Sequence, residues 1–139
     1  MSSKIIYDAT IMKFMSLFEA VTKANLKDCI NQEGLVIFVV QPNEIGKAIG
    51  SKGANVHKLE RMLNKKVKIV EYSPEPVSFI KNMVYPLQVK EIKEEDGVYV
   101  LAPVDLKTRG MLIGRNAINL RSYESMAKRY FPLKKLKVI

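Results

Sequence analysis

The stretch that decides the fold is Ile49-Gly50-Ser51-Lys52-Gly53-Ala54-Asn55-Val56-His57-Lys58-Leu59. Two apolar segments meet there through four residues, with a glycine at each end of the four. Glycine lets the backbone approach a ligand closely and adopt unusual dihedral angles. A helix that starts directly after such a loop points unpaired N–H groups and its positive dipole end at the same place. The stretch therefore predicts a phosphate-binding loop between two helices, although a bare Gly-x-x-Gly also occurs in ordinary turns.

A weaker copy of this stretch follows 64 positions later, as Ile113-Gly114-Arg115-Asn116-Ala117. Other features repeat as well: Gly34 and Gly97 each precede an apolar run, and each half ends on a lysine-rich strand pattern, at 66–70 and 135–139. Self-similarity of this kind indicates a duplicated structural unit. Ser73-Pro74-Glu75-Pro76 is the one convincing boundary, because closely spaced prolines resist both helix and central strand. We predict two units, 1–73 and 74–139.

Hydrophobic periodicity gives both halves the order α-β-β-α-α-β. In the first half the predicted segments are a helix at 8–24, strands at 27–31 and 35–40, a short helix from Pro42 to Gly50, a helix at 53–64 and a strand at 66–71. In the second half they are a helix at 76–84, strands at 86–92 and 98–102 with a turn at 94–97, a helix from 104 that breaks at Gly114, a helix to 130 and a final strand. The predicted fold class is α+β, with each three-stranded sheet covered on one face by helices. Six methionines at helical spacings are expected to fill the core: Met12, Met15, Met62, Met83, Met111 and Met126.

The charge of the chain favours a polyanionic partner. The 139 residues carry a formal net charge of +9. The basic residues concentrate in two corresponding segments, 52–68 and 107–137, which contain Glu60 and Glu124 as their only acids. A solvated nucleic acid is the simplest partner for such a field.

The loop with its flanking helices resembles the signature of the KH family, an Ile-Gly-x-x-Gly loop inside a three-stranded α/β unit. The element order is similar to the type II arrangement of that family, and the resemblance covers essentially the whole chain. More narrowly, a stand-alone pair of such units in a basic chain resembles the archaeal NusA-related transcription termination/antitermination factors. The resemblance implies two tandem type II KH modules, each with a cleft for about four unpaired nucleotides. It implies single-stranded nascent RNA as the partner, with RNA polymerase or the elongation complex as a further candidate.

Carried over by position, the resemblance assigns two clamps on the sugar–phosphate backbone. The first comprises Gly50, Ser51, Lys52 and Gly53. The second comprises Gly114, Arg115, Asn116 and Ala117. Ala117 departs from the family pattern by replacing the second glycine, so its methyl group is expected to hold a phosphate farther off. Alanine is also expected to suit the first turn of a helix, and Arg115 to compensate in part for the weaker contact.

Several side chains near the loops have two readings. Lys47, Lys58, Arg109 and Arg121 could line the clefts, or could equally belong to solvated helix faces. Ile45, Ile49 and Val56 could touch bases, but core packing is favoured for most of them. Tyr7, Tyr123 and Tyr130 could stack on bases, but burial is favoured for at least two of them. His57 has no neighbours at metal-site or triad spacing.

Other classes of function are weighed against RNA binding. Gly46-Lys47-Ala48-Ile49-Gly50-Ser51-Lys52 has the wrong residue order for a nucleotide-binding P-loop, and no paired carboxylates suggest acid–base or Mg²⁺ chemistry. We therefore predict no enzymatic activity and no cofactor, metal or small-molecule substrate. A ribosome-associated or RNA-processing KH protein remains open, as does a protein-interaction module with little RNA binding. The single Cys29 and the lack of a signal-like or membrane-spanning stretch predict a cytoplasmic protein without membrane contact.

Overall fold

A computed structural model describes residue 5 and residues 7–32 and 34–139. Within these, residues 7–73 form one compact unit, and residues 74–139 together with Ile5 form another. The first four residues of the predicted unit 1–73, together with Ile6 and Glu33, lie outside the described residues.

The first unit has the predicted order of elements. They are α1 (Ala9–Thr22), β1 (Leu26–Gln32), β2 (Leu35–Val40), α2 (Ile45–Ile49), α3 (Ala54–Leu63) and β3 (Lys66–Glu71). A single 3-10 turn, Ser51–Gly53, joins α2 to α3. The central strand β2 runs antiparallel to β1 and parallel to β3. The Asp8 carboxylate accepts the Ile11 amide at 2.8 Å, which fixes the start of α1.

The second unit repeats this architecture. Its elements are α4 (Pro76–Val84), β4 (Val89–Glu95), β5 (Val98–Pro103), α5 (Leu106–Ile113), α6 (Ile118–Lys128) and β6 (Lys135–Val138). A second 3-10 turn, Arg115–Ala117, joins α5 to α6. The central strand β5 runs antiparallel to β4 and parallel to β6. The α+β prediction with two three-stranded sheets is confirmed.

The core of the first unit lies between the sheet and its helices. Phe18 of α1 stacks on Phe38 of β2, with ring centroids 4.4 Å apart. Ala48 of α2 and Leu59 of α3 are fully buried in the same cluster. Residues 36–40 of β2 are buried on both faces of the strand, as their uninterrupted apolar run favours. This packing holds the two helices that flank the first loop.

An aromatic cluster anchors the second unit. The buried Phe79 of α4 meets Tyr130 edge-on at 5.2 Å between centroids and Phe131 at 5.6 Å. Leu112 of α5 and Leu101 of β5 are fully buried. Tyr130 and Phe131 belong to the six-residue link between α6 and β6, whereas only two residues separate α3 from β3. The longer link explains why the two halves drift out of a constant spacing.

Three of the six methionines contradict the core prediction. Met83 and Met126 are buried and Met15 packs against the core, but Met12, Met62 and Met111 are 58, 51 and 49% exposed. The helical spacing of the methionines did not show which of them lie on the buried face of a helix and which lie at its exposed edges. The strand predicted at 86–92 runs instead from Val89 to Glu95, because the two-residue Asp96-Gly97 turn, with both φ values positive, carries the hairpin. The short helix α2 begins at Ile45 rather than at Pro42.

Candidate nucleic-acid interface

The first loop is a tight turn built on left-handed backbone. Gly50 ends α2 at φ 78° and ψ 171°, dihedral angles that only glycine adopts without strain. Lys52 and Gly53 follow at φ 54° and 73°. The Gly53 amide donates to the Gly50 carbonyl at 3.2 Å and closes the turn. These angles turn the chain sharply enough for α3 to start at Ala54.

The second loop has nearly the same backbone. Gly114 lies at φ 74° and ψ 173°, and Asn116 and Ala117 at φ 56° and 60°. The Ala117 amide donates to the Gly114 carbonyl at 3.2 Å. The expectation that Ala117 suits a first helical turn is wrong, since it precedes α6 in the left-handed region. Such a conformation costs a non-glycine residue roughly 1–2 kcal/mol.

Both helices that follow the loops begin without a side-chain cap. Gly53 and Ala117 occupy the N-cap positions of α3 and α6, and neither helix start receives a hydrogen bond from a capping side chain. The first N–H groups of a helix have no partner within the helix. They carry the positive end of the helix dipole, which favours an anion at that position.

The hydrophilic side chains predicted for the clamps are exposed. Ser51 and Lys52 lie at the tip of the first loop, and Arg115 and Asn116 at the tip of the second. The flanking Lys47, Lys58 and Arg121 are exposed as well. Among described residues, no carboxylate forms an ion pair with any of these cations. Arg109 differs, because its Nε donates to the Ile139 carbonyl at 3.1 Å.

A match to a known protein family covers more than half of the chain. The sequence profile described as KH domain matches residues 15–97 of the chain. The chain belongs to the KH domain family. The match includes all of the first loop, and KH domains bind RNA by clamping backbone nucleotides with this loop. The predicted class of fold and the predicted RNA-binding class are confirmed.

Relatives narrow the family further. A protein of Methanocaldococcus jannaschii named "Probable transcription termination protein NusA" is 32% identical over 132 residues, covering 93% of this chain and 72% of that protein. A protein of the same name from Halobacterium salinarum is 31% identical, covering 87% and 88% of the two chains. A third, from Thermoplasma acidophilum, is 22% identical over 98% and 96%. This KH protein is thus one of the archaeal NusA-related proteins, as predicted.

A solved structure agrees with the fold. The crystal structure of APE1850 superimposes with a TM-score of 0.75 at 24% identity, covering 96% of this chain and all of that one. At this level of identity the likeness establishes the fold alone.

Two asparagines form hydrogen bonds across the loops that the sequence did not predict. Asn55 Nδ2 donates to the Lys47 carbonyl at 3.1 Å, and Asn119 Nδ2 donates to the Met111 carbonyl at 2.8 Å. Each bond crosses one loop, from the first turn of the following helix to the end of the preceding helix. The signal was available, because Asn55 and Asn119 share the 64-residue spacing of the loops.

Glu60 and Glu124, each the one acid of its basic segment, accept hydrogen bonds from the sheets. Glu60 Oε2 accepts the Val67 amide at 3.0 Å, and Glu124 Oε2 accepts the Leu136 amide at 2.9 Å. Each carboxylate thus ties the helix after a loop to the start of the last strand. Glu124 also lies 3.6 Å from Lys128. The two acids therefore have a matched role in joining helix to sheet.

Other candidate residues turn out to be structural. Ile45 and Val56 pack against the first core. The Tyr7 hydroxyl donates to buried Asp28 at 2.8 Å, and burial raises the pKa of Tyr123. His57 is exposed on α3. In the described part of the chain, no three His, Cys, Asp or Glu side chains are grouped to hold a metal ion. No helix among the same residues is long and apolar enough to cross a bilayer.

Proposed function

We propose that this KH protein binds single-stranded RNA through its two loops, with the strand's phosphates held by backbone amides, and acts in transcription termination or antitermination. Each unit, 1–73 and 74–139, is one RNA-binding module that takes about four nucleotides. The observation that carries the proposal is the pair of loops of matching backbone, each leading into an uncapped helix start.

The first loop is the stronger clamp. A methyl group placed on Gly53 would meet His57 Nε2 at 3.5 Å, an ordinary contact, and no atom closer than that, so only the His57 ring lies against this residue. A phosphate can therefore approach the backbone there directly. Gly50, Ser51, Lys52 and Gly53 make the contact, and Lys47 and Lys58 add charge from the adjoining helices.

The second loop is the weaker clamp. It presents Gly114, Arg115, Asn116 and Ala117, with Arg121 on the adjoining helix. The Ala117 methyl group stands where Gly53 of the first loop has only a hydrogen atom, and it keeps a phosphate farther from the backbone. The Arg115 guanidinium compensates, because it reaches phosphate oxygens with several donors at a distance.

The role in transcription is supported by the names of the relatives, which are probable transcription termination proteins. Nascent transcript is then the target, and RNA polymerase or the elongation complex is a second partner. The protein acts without catalysing a reaction, and it acts in the cytoplasm, where archaeal transcripts are made.

The clamp is tested with charge reversals in the first unit. Lys52→Asp, alone and with Ser51→Asp, is compared with Lys13→Asp, which makes the same charge change on an exposed position of α1. Affinity for a labelled single-stranded RNA is measured over a range of salt concentrations. The loop variants are expected to bind at least tenfold more weakly at moderate salt, and Lys13→Asp to bind nearly as the unmodified protein does. Equal affinities for folded loop and control variants would refute the first clamp.

The cellular target is tested by crosslinking in cells and sequencing the bound RNA. Reads spread along nascent transcripts and concentrated near their 3′ ends are expected. Reads confined to ribosomal RNA would replace the transcription role by a ribosomal one. An affinity that does not change with salt would favour a protein-interaction module. For single-stranded RNA, the slope of log K against log salt becomes more negative by about 0.7 for each phosphate contact.

A further inference from the structure

We propose that Asn55 and Asn119 are positioning residues that hold the two loops in their binding conformation before RNA arrives. The inference rests on the proposed function, because positioning matters only if the loops bind RNA. Neither asparagine belongs to the four-residue loops, and neither carries a charge.

Each asparagine donates its hydrogen bond to a carbonyl at the end of the preceding helix. Asn55 projects from the first turn of α3, and its amide reaches the carbonyl of Lys47 in the last turn of α2. A carbonyl in the last turn of a helix has no partner within that helix. The side chain therefore satisfies an orphan acceptor and ties the two helices together across the loop. Asn119 does the same between α6 and the Met111 carbonyl of α5.

Each asparagine also packs against the first glycine of its loop. A methyl group added at Gly50 would lie 2.9 Å from Asn55 Nδ2, and one added at Gly114 would lie 2.7 Å from Asn119 Cγ. The asparagine side chain thus covers the glycine directly. Each glycine is required both by its positive φ angle and by the asparagine above it, so the two residues form one unit.

Neither asparagine caps the helix on which it lies. Asparagine near a helix start often satisfies the first N–H groups of that helix. Here the side-chain amide faces the preceding helix, and the first turns of α3 and α6 remain uncapped by side chains. The same bond that shapes each loop therefore places no side-chain oxygen in front of these helix starts. The amides of Ala54 and Ile118 donate within the turn, to the carbonyls of Ser51 and Arg115, so a phosphate has no side chain to displace there.

The two units share the asparagine and differ in the side chains around it. The residues at equivalent positions differ in their side chains: Lys47 corresponds to Met111, and Ser51 to Arg115. The asparagine and its bond to a carbonyl are the same in both. Their role must belong to what the loops share, which is the backbone conformation, rather than to any one side chain.

The test uses the full chain and a labelled single-stranded RNA of mixed sequence. Asn55→Ala is expected to weaken binding about three- to tenfold, the usual effect of losing one neutral hydrogen bond. The loss should be the same at every salt concentration, because no charge is removed. Lys52→Ala is the matched comparison, and should reduce the slope of log K against log salt by about 0.7. Thermal unfolding identifies the variants that remain folded, and hydrogen exchange should accelerate at residues 50–55 in Asn55→Ala.

The outcomes separate the inference from the function on which it rests. Asn119→Ala tests the same role in the other unit, and decides the matter if Asn55→Ala does not fold. Unchanged RNA affinity in the folded asparagine variants, with a clear loss in Lys52→Asp, would overturn the positioning role and leave the clamp standing. A changed salt slope in Asn55→Ala would also overturn it. Unchanged affinity in Lys52→Asp as well would remove the clamp itself.

Discussion

The strain at Ala117 makes a quantitative prediction about stability. Ala117 holds φ 60° and ψ 24° at a position where the first unit has Gly53 at φ 73° and ψ 19°. Relief of a left-handed alanine is worth roughly 1–2 kcal/mol. Glycine in turn costs roughly 0.5–1 kcal/mol through the greater freedom of the unfolded chain. Ala117→Gly should therefore raise the free energy of unfolding by about 0.5–1 kcal/mol.

The reverse exchange in the first unit is the matched experiment. A methyl group on Gly53 meets only His57 Nε2 at 3.5 Å, an ordinary contact, so the cost of Gly53→Ala is backbone strain alone. It should lower the free energy of unfolding by about 0.5–1 kcal/mol. The free energy of unfolding of both variants is measured by chemical denaturation. The slope of this free energy against denaturant concentration should be the same as in the unmodified protein. The RNA affinity of Ala117→Gly should rise, since a phosphate can then approach the second loop more closely.

Two results would refute this reasoning. A destabilised Ala117→Gly would mean that the alanine methyl group stabilises the unit by more than its strain. A neutral Gly53→Ala would mean that the left-handed backbone at that position does not persist in solution. Gly114→Ala serves as an upper reference, because its added methyl group would also lie 2.7 Å from Asn119. It should be destabilised by more than Gly53→Ala.

Three further predictions concern the scaffold. The Asp105 carboxylate accepts a hydrogen bond from the Thr108 amide at 2.7 Å, and this bond holds the pKa of Asp105 below its ordinary value. The bond therefore stabilises the fold fully above about pH 3.8, the ordinary pKa, and the stabilisation is lost as the pH falls below that value. The difference in melting temperature between wild type and Asp105→Ala should therefore shrink in acid, and a difference that is constant from pH 7 to pH 2.5 would contradict this cause. Glu60→Ala leaves the Val67 amide without its acceptor, and should cost about 1 kcal/mol of unfolding free energy with faster hydrogen exchange at that amide, whereas unchanged exchange would show that the bond does not form. Phe18→Ala empties a fully buried ring position and should lower the melting temperature by more than about 12 °C, while a drop of only a few degrees would place Phe18 outside the core.

The element order was predictable because each segment carries its own periodicity. The apolar run 35–40, the prolines near residue 74 and the repeated glycines are local signals, and the strand at 66–71 and the helix at 76–84 have the predicted bounds. The strand β4 was misplaced by three residues, because an exposed strand of alternating charges has little hydrophobic signal. Its register depends on pairing with β5, which is not a local property.

The site was predictable in its outline and not in its internal bonds. Gly50 and Gly114 indicate where the loops lie in the sequence, because few other residues adopt positive φ angles without strain. The hydrogen bonds of Asn55 and Asn119 depend on two helices meeting at one angle, so no local pattern required them. The same holds for Glu60, whose partner amide belongs to the next strand.

The sequence by itself determined that two copies of an α-β-β-α-α-β unit carry glycine-containing loops and an excess of positive charge, because glycine spacing, hydrophobic period and charge are properties of the chain. Only the tertiary structure decided that Ala117 takes the left-handed conformation of its glycine counterpart and that one asparagine covers each loop. Those features arise from the closure of packed helices around a turn, where the backbone must accept the dihedral angles that the junction demands.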